Sequence, residues 1–226
     1  MTSFRGKLYQ TLSLAYYYVF VAPLGRGMHR TPKSWDAQYR SGYWEIFRTT
    51  AEMPRYAIIA SHIQRWKSDP VVLDVGCGYG QLFNELGSST VNSYVGIDLS
   101  PEAIGMAQLK QYPNASFIVA NVDEWQSDCK FDIIVFNDVL YYLRLPVDTL
   151  ERYQQMLSPG GVMIVAMFRH RNTMVIWKNI ARRFDVADPI EVRNAKGELT
   201  DIRIVTSRLA AQPSRSATLP QVKTLP

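Results

Sequence analysis

The sequence predicts an α/β fold: a mostly parallel sheet with helices on both faces, an antiparallel edge hairpin, and further helices at the N-terminus. Three observations predict it. Short β-rich runs alternate with helical stretches between residues 70 and 168, and strands separated by helices pair in parallel through right-handed crossovers. A glycine-rich turn joins the first of those runs to its helix, at the edge where open α/β sheets bind ligands. The 226 residues, 47% hydrophobic and 20% charged, suit one globular domain and exclude a disordered or collagen-like chain.

Taken in order, residues 8–24 are rich in Leu, Tyr, Val and Phe, but Gln10, Thr11 and Ser13 interrupt them and Pro23 closes them. Their unbroken apolar run, residues 14–22, is shorter than the roughly 20 residues of a bilayer span. Its tyrosines and basic flanks suit an interfacial helix; a helix packed on the domain's own surface is the plainer expectation. Three consecutive tyrosines without a small-x-small cleavage site argue against a secretory signal. Ser34 is expected to cap a helix with Trp35, Tyr39, Tyr43, Trp44 and Phe47 along one side and a break at Ser41 and Gly42. A second helix is expected over residues 54–66, with Ile58, Ile59, His62 and Ile63 on its apolar side.

The sheet pattern follows: VVLDV, then a helix from Tyr79; SYVGID, then a helix over residues 101–110; and the runs ASFIVA, FDIIVFN and GVMIVAMF. Pro101 suits a first helical turn behind Ser100 as cap. Residues 158–161, SPGG, predict a helix stop and a tight turn into the next strand. Residues 172–184 are expected to be helical, and 189–206 to form two strands, IEVRN and LTDIRIV, around Ala195, Lys196 and Gly197. The expected organisation is therefore a basic, aromatic helical segment (1–33), one α/β domain (34–206) and a disordered basic tail (207–226).

The net charge of +5 divides unevenly. Arg5, Lys7, Arg26, Arg30 and Lys33 near one end and Arg208, Arg215 and Lys223 near the other have no acidic neighbours, leaving 17 basic against 20 acidic residues between them. A body with a net negative charge argues against nucleic-acid binding. Cys77 and Cys129 are too few for a disulfide framework, and His29, His62 and His170 are scattered, so a reducing compartment is expected and no metal is assigned.

The segment LDVGCGYG, residues 73–80, has the chemistry of a ligand loop. Glycines let backbone amides approach a ligand closely. A dinucleotide fingerprint would require glycine at 81, where Gln81 stands. Asp98 ends the second strand, where an acid can accept from both ribose hydroxyls, so loop and acid together favour a nucleoside ligand.

These residues, with VGIDLSPEAI, ANVDEW, FDIIVFNDVLYYL and LSPGGVMIV in order, resemble the class I S-adenosylmethionine-dependent methyltransferases of small molecules. The resemblance is strong over residues 71–168 and looser from Trp35 to the hairpin. It implies a Rossmann-like sheet with S-adenosyl-L-methionine as cofactor and S-adenosyl-L-homocysteine as product. By position it assigns Asp74, Gly76, Cys77, Gly78 and Gly80 to the methionine part of the cofactor, Asp98 to the ribose and Leu99 to the adenine flank. It also implies that Asn121, Val122 and Asp123 form the adenine edge, with Asp123 accepting from the amino group. Asn137 closes the fourth strand beside the donor, and Trp35, Tyr39, Tyr43 and Trp44 either cover the cofactor as a lid or fasten the first helices to the sheet.

Candidates for a base on the acceptor side are Asp138, Tyr141, Tyr142 and His170; the tyrosines are also plausible cavity lining, and His170, between Arg169 and Arg171, a solvent-exposed side chain. The stretch DVLYYL is similar to the corresponding one in nodulation-type chitooligosaccharide N-methyltransferases. The expected acceptor is a small molecule, a saccharide or a lipid-linked compound, methylated on oxygen or nitrogen. No nucleic-acid partner is expected. A cytoplasmic protein, peripheral at the inner membrane surface through residues 8–24, is one expectation; a non-catalytic regulatory or scaffolding subunit is the alternative.

Overall fold

The computed structural model describes residues 13–28, 31–48 and 52–208. Its centre is a seven-stranded sheet of order β3-β2-β1-β4-β5-β7-β6. The strands are β1 (Val71–Val75), β2 (Ser93–Asp98), β3 (Ala115–Val119), β4 (Phe131–Asn137), β5 (Leu157–Phe168), β6 (Phe184–Arg193) and β7 (Leu199–Ser207). The first five pair in parallel, while β7 runs antiparallel to β5 and β6 antiparallel to β7. The Rossmann-like sheet with its antiparallel edge is thus as the sequence predicts.

The helices are α1 (Pro32–Arg40), α2 (Met53–Trp66), α3 (Gln81–Leu86), α4 (Pro101–Gln108), α5 (Pro146–Gln154) and α6 (Arg171–Arg183). Strand side chains alternate between two cores. Val72, Ile133, Val135 and Ile164 face Ile59 and Ile63 of α2, Phe83 of α3 and Ile104 of α4. Leu73, Val75, Ile134, Phe136 and Val165 face Leu150 and Tyr153 of α5 and Ile176, Trp177 and Ile180 of α6. Burial on both faces accounts for the nearly unbroken apolar run of β4. Strand order reverses between β1 and β4, which opens a crevice at their carboxyl ends.

Several boundaries differ from the expectation for local reasons. Thr31, not Ser34, caps α1: its Oγ1 accepts the Ser34 N–H at 3.3 Å, with Pro32 in the first turn. The helix ends at Ser41, Gly42 has φ +73°, and a 3-10 helix, Tyr43–Arg48, follows. α3 starts at Gln81, not Tyr79, because Gly80 still has φ +70°. Residues 158–161 belong to β5 rather than to a free turn. Ser158 Oγ bonds to the Phe131 carbonyl and to Asp132 Oδ1 at 2.9 and 2.7 Å, holding the segment on the sheet across a register shift between Phe131 and Ile133.

α6 passes directly into β6 at Phe184, and a register shift between Ala187 and Ile190 accommodates Pro189 on this edge strand. Residues 1–12 and 209–226, which hold the first part of the predicted interfacial helix and nearly all of the predicted tail, lie outside the described residues. No helix among the described residues is long and apolar enough to cross a membrane.

Candidate active site

A cavity occupies the crevice at the carboxyl ends of β1 and β4. Its floor is the turn after β1. Gly76 has φ +74°, and a Cβ there would lie 2.3 Å from Val139 Cγ2, so only glycine lets the turn pass beneath the residues after β4. The Gly76 and Cys77 amides donate to the Ile97 carbonyl at 2.7 and 3.0 Å. The Gly78 amide donates to Asp98 Oδ2 at 3.0 Å and the Ser100 amide to Oδ1 at 2.9 Å, which aims the Asp98 carboxylate along the loop.

Both acids on this side are buried. Burial pushes the Asp98 carboxyl up to about 6, against the opposing amide donors. Burial pushes Asp74 up to about 7; the Tyr94 hydroxyl that donates to it opposes the rise, and the nearby Asp98 charge adds to it. At the end of β4, Asn137 Oδ1 is buried without a hydrogen-bond partner among the described residues. A lone acceptor at the mouth of a glycine cradle, beside a carboxylate that can receive two hydroxyls, fits an adenosyl group bearing an amino-acid ammonium.

The next residue departs from ordinary backbone. Asp138 has φ +57°, a region few non-glycine residues enter. Its carboxylate is fully engaged: Oδ2 takes a close charged contact from Arg55 Nη1, Oδ1 accepts the Phe168 amide at 2.8 Å, and the Tyr141 phenol bonds to it as well. Arg55 is itself buried and also pairs with Glu52 at 3.5 Å. Burial disfavours its charge, but Asp138, Tyr56 and Glu52 outweigh burial and raise its pKa. Burial, with the Asp138 and Tyr142 charges, holds the Tyr141 phenol well above its ordinary value, so it keeps its proton.

An aromatic wall closes the opposite side. Trp35 packs 5.5 Å from Trp44 and edge-on to Tyr142 at 4.8 Å, and Tyr39 packs edge-on to Tyr79 at 4.9 Å. α1, which carries Trp35 and Tyr39, is fastened to α4 by Arg40–Glu102 at 3.3 Å and by the Ser100 hydroxyl on Asp36.

The structure gathers Tyr39, Trp44, Asp74, Gly76, Cys77, Gly78, Asp98, Leu99, Asn121, Val122, Asp123 and Asn137 around this one cavity, together with Asp138, Tyr141 and Tyr142. Gly80 is set back, packed against the Phe117 ring. His170 stands away from the lining as the N-cap of α6: its amide donates to the Thr173 hydroxyl at 2.9 Å, and that hydroxyl donates to the His170 carbonyl at 2.8 Å. Burial lowers its pKa, while the Asp138 charge opposes the fall.

Sequence reasoning missed Arg55 and Tyr56, which also line the cavity. A signal existed, since Arg55 stands four and eight positions before Ile59 and Ile63 on the buried side of α2. A buried arginine there requires a carboxylate from elsewhere.

Comparison with known proteins agrees with this architecture. A 110-residue stretch, 45% of this chain and 41% of the other, is 30% identical to a malonyl-[acyl-carrier protein] O-methyltransferase of Halalkalibacterium halodurans. A 108-residue stretch, 44% of each chain, is 35% identical to nodulation protein S of Rhizobium tropici. The chain thus spans less than half the length of either curated relative. The crystal structure of N-methyltransferase NodS from Bradyrhizobium japonicum WM9 in complex with S-adenosyl-L-homocysteine superposes with a TM-score of 0.58 at 18% identity, covering 72% of this chain and 91% of that one. Residues 67–203, more than half of the sequence, match the family model described as a methyltransferase domain, and the chain therefore belongs to that family.

Proposed function

We propose that this chain is an S-adenosyl-L-methionine-dependent methyltransferase acting on an oxygen or nitrogen of a small-molecule, saccharide or lipid-linked acceptor. One observation carries the reading: the Asp98 and glycine-loop side and the Asp138–Arg55–Tyr141 group flank a single cavity at the strand-order reversal. The names of the relatives include both O- and N-methyl transfer, so the acceptor atom is left as either.

When bound, the cofactor supplies a sulfonium methyl, which passes to the acceptor as the S–CH3 bond breaks and S-adenosyl-L-homocysteine leaves without needing an acid. The protein's work is then positioning and dryness. Asp98 receives the ribose hydroxyls, Asn137 Oδ1 receives the ammonium, and Asp123 serves the adenine edge. Trp35, Tyr39 and Trp44 exclude water. An acceptor N–H or O–H must lose a proton, and Tyr141 with Asp138 offers the route: the phenol oxygen receives the acceptor's hydrogen while the phenol's own proton passes along its existing bond to the Asp138 carboxylate. Tyr142 lines the acceptor side. His170 caps α6 in this reading, its backbone tied to the Thr173 hydroxyl and its ring outside the cavity lining.

Calorimetric titration with S-adenosyl-L-homocysteine, followed by transfer of tritium from methyl-labelled cofactor into fractionated saccharide, lipid and small-molecule extracts, tests the proposal. Binding with one labelled fraction supports it. Tyr141→Phe and Asp138→Asn should each lower the labelling rate roughly tenfold or more, with product affinity kept by Tyr141→Phe. No binding refutes the cofactor assignment, and binding without labelling of any fraction favours a regulatory or scaffolding subunit.

A further inference from the structure

The segment before α1 is fastened to the domain by few side chains. Helical residues 13–16 lead into a π-helical turn, Tyr17–Val21, and a 3-10 turn, Ala22–Leu24. The Tyr17 hydroxyl donates to the Arg26 carbonyl at 3.3 Å and accepts from Asn172 Nδ2 of α6, while Asn179 Nδ2 donates to the Leu24 carbonyl at 3.3 Å. Tyr17 and Ala22 are buried. The rest of the apolar side chains point away: Tyr16, Tyr18 and Phe20 are 62%, 59% and 62% exposed, and Leu14, Val19 and Leu24 are exposed with them. Three aromatics in that state leave roughly 300–400 Å² of mostly apolar surface in water, and the aliphatic neighbours carry the patch to the upper limit for a soluble monomer.

The surround of this patch is basic. Residues 13–35, 139–147 and 171–183 contain no acid. Arg26 and Arg144 line a shallow groove with Tyr16 and Leu145, and neither has a carboxylate partner among the described residues. Met174, Lys178 and Arg182 share the exposed side of α6, next to Val175 and Asn179, which meet Gly25. Tyrosine and phenylalanine at the apolar centre with Arg and Lys around it are the chemistry of a surface that sits among lipid headgroups and attracts anionic ones. Its place relative to the cavity is set by backbone: the Gly27 amide donates to the Leu143 carbonyl at 2.8 Å and the Met28 amide to the Tyr141 carbonyl at 2.9 Å, and Tyr141 and Leu143 line the cavity.

We propose that residues 13–24 and the exposed side of α6 dock this chain on an anionic lipid bilayer, with the acceptor side of the cavity held beside the headgroups. The docking does not depend on which acceptor is methylated.

Flotation of the full chain with phosphatidylcholine vesicles containing 30 mol% phosphatidylglycerol, and with pure phosphatidylcholine vesicles, tests it. Partitioning should be several-fold stronger on the anionic vesicles, roughly tenfold or more weaker for Phe20→Glu, and reduced for Arg26→Glu combined with Arg144→Glu. Calorimetry with S-adenosyl-L-homocysteine on Phe20→Glu reports separately on the cofactor site: retained binding shows a folded protein, and lost binding in the wild type would refute the methyltransferase reading, not the docking. Absence of wild-type flotation overturns the proposal, as does equal flotation of Phe20→Glu. A wild-type dimer in sedimentation without lipid that Phe20→Glu converts to monomer also overturns it, because the patch would then be an interface between copies.

Discussion

Acid should weaken cofactor binding through one carboxylate. Asp98 lies buried at the end of β2 with its pKa raised to about 6, and only its ionised form can accept from both ribose hydroxyls. If binding requires the carboxylate, the apparent Kd for S-adenosyl-L-homocysteine scales as one plus the ratio of protonated to ionised Asp98. Relative to pH 8, Kd should rise about twofold at pH 6 and about elevenfold at pH 5, the latter worth about 1.4 kcal/mol. Calorimetry in two buffers of different ionisation enthalpy should detect about 0.9 proton released per molecule bound at pH 5 and almost none from this group at pH 8. Asp74, raised to about 7, titrates in the same range, so Asp98→Ala isolates the assignment. That variant should bind weakly at every pH and lose the steep rise between pH 6 and 5. An unchanged Kd from pH 8 to 5, or equal proton release by wild type and Asp98→Ala at pH 5, would refute the reasoning.

Three further outcomes follow from the same geometry. Because burial raises Asp74 from 3.8 to about 7, its contribution to stability is fully present below the lower value and lost as pH rises through the upper one. Asp74→Asn, which can still accept from Tyr94, should therefore increase unfolding free energy at pH 8 by on the order of 2–4 kcal/mol and change it little at pH 4, read by urea denaturation. Arg55→Met leaves the mostly buried Asp138 carboxylate without its cation and should cost about 2–4 kcal/mol. Pairing it with Asp138→Asn should recover much of that loss; a double variant as unstable as the sum of its parts would show that the pair is not coupled. Gly76→Ala places a non-glycine residue at φ +74° with its Cβ against Val139, so cofactor binding should fail and stability should fall by at least about 1–3 kcal/mol. Val139→Ala in that background should relieve the contact but not the backbone cost.

The parts of the site that were legible share a common reason. Alternation of β-rich and helical periods is a local property, and so are the glycines at 76, 78 and 80 and the acid at the end of the second strand. Hence the sheet, its hairpin and the Asp98 side of the cavity follow from short windows. Boundaries were less legible where one local signal competes with another, as at Thr31 against Ser34, or where a contact across the sheet pulls a turn into a strand, as at Ser158.

The sequence by itself determined the fold class, the glycine-rich turn at the carboxyl end of the first strand and the acid that ends the second, because each is written in spacing or in a contiguous motif. Only the tertiary structure decided that Arg55 meets Asp138, 83 positions away, that His170 caps a helix, and that residues 13–28 run beside the Tyr141 and Leu143 side of the cavity with Tyr16, Tyr18 and Phe20 in solvent. Those three outcomes depend on which surfaces the folded sheet brings together. A buried charge or an exposed apolar stripe takes its meaning from the partner it meets, and that partner lies outside any local window of the chain.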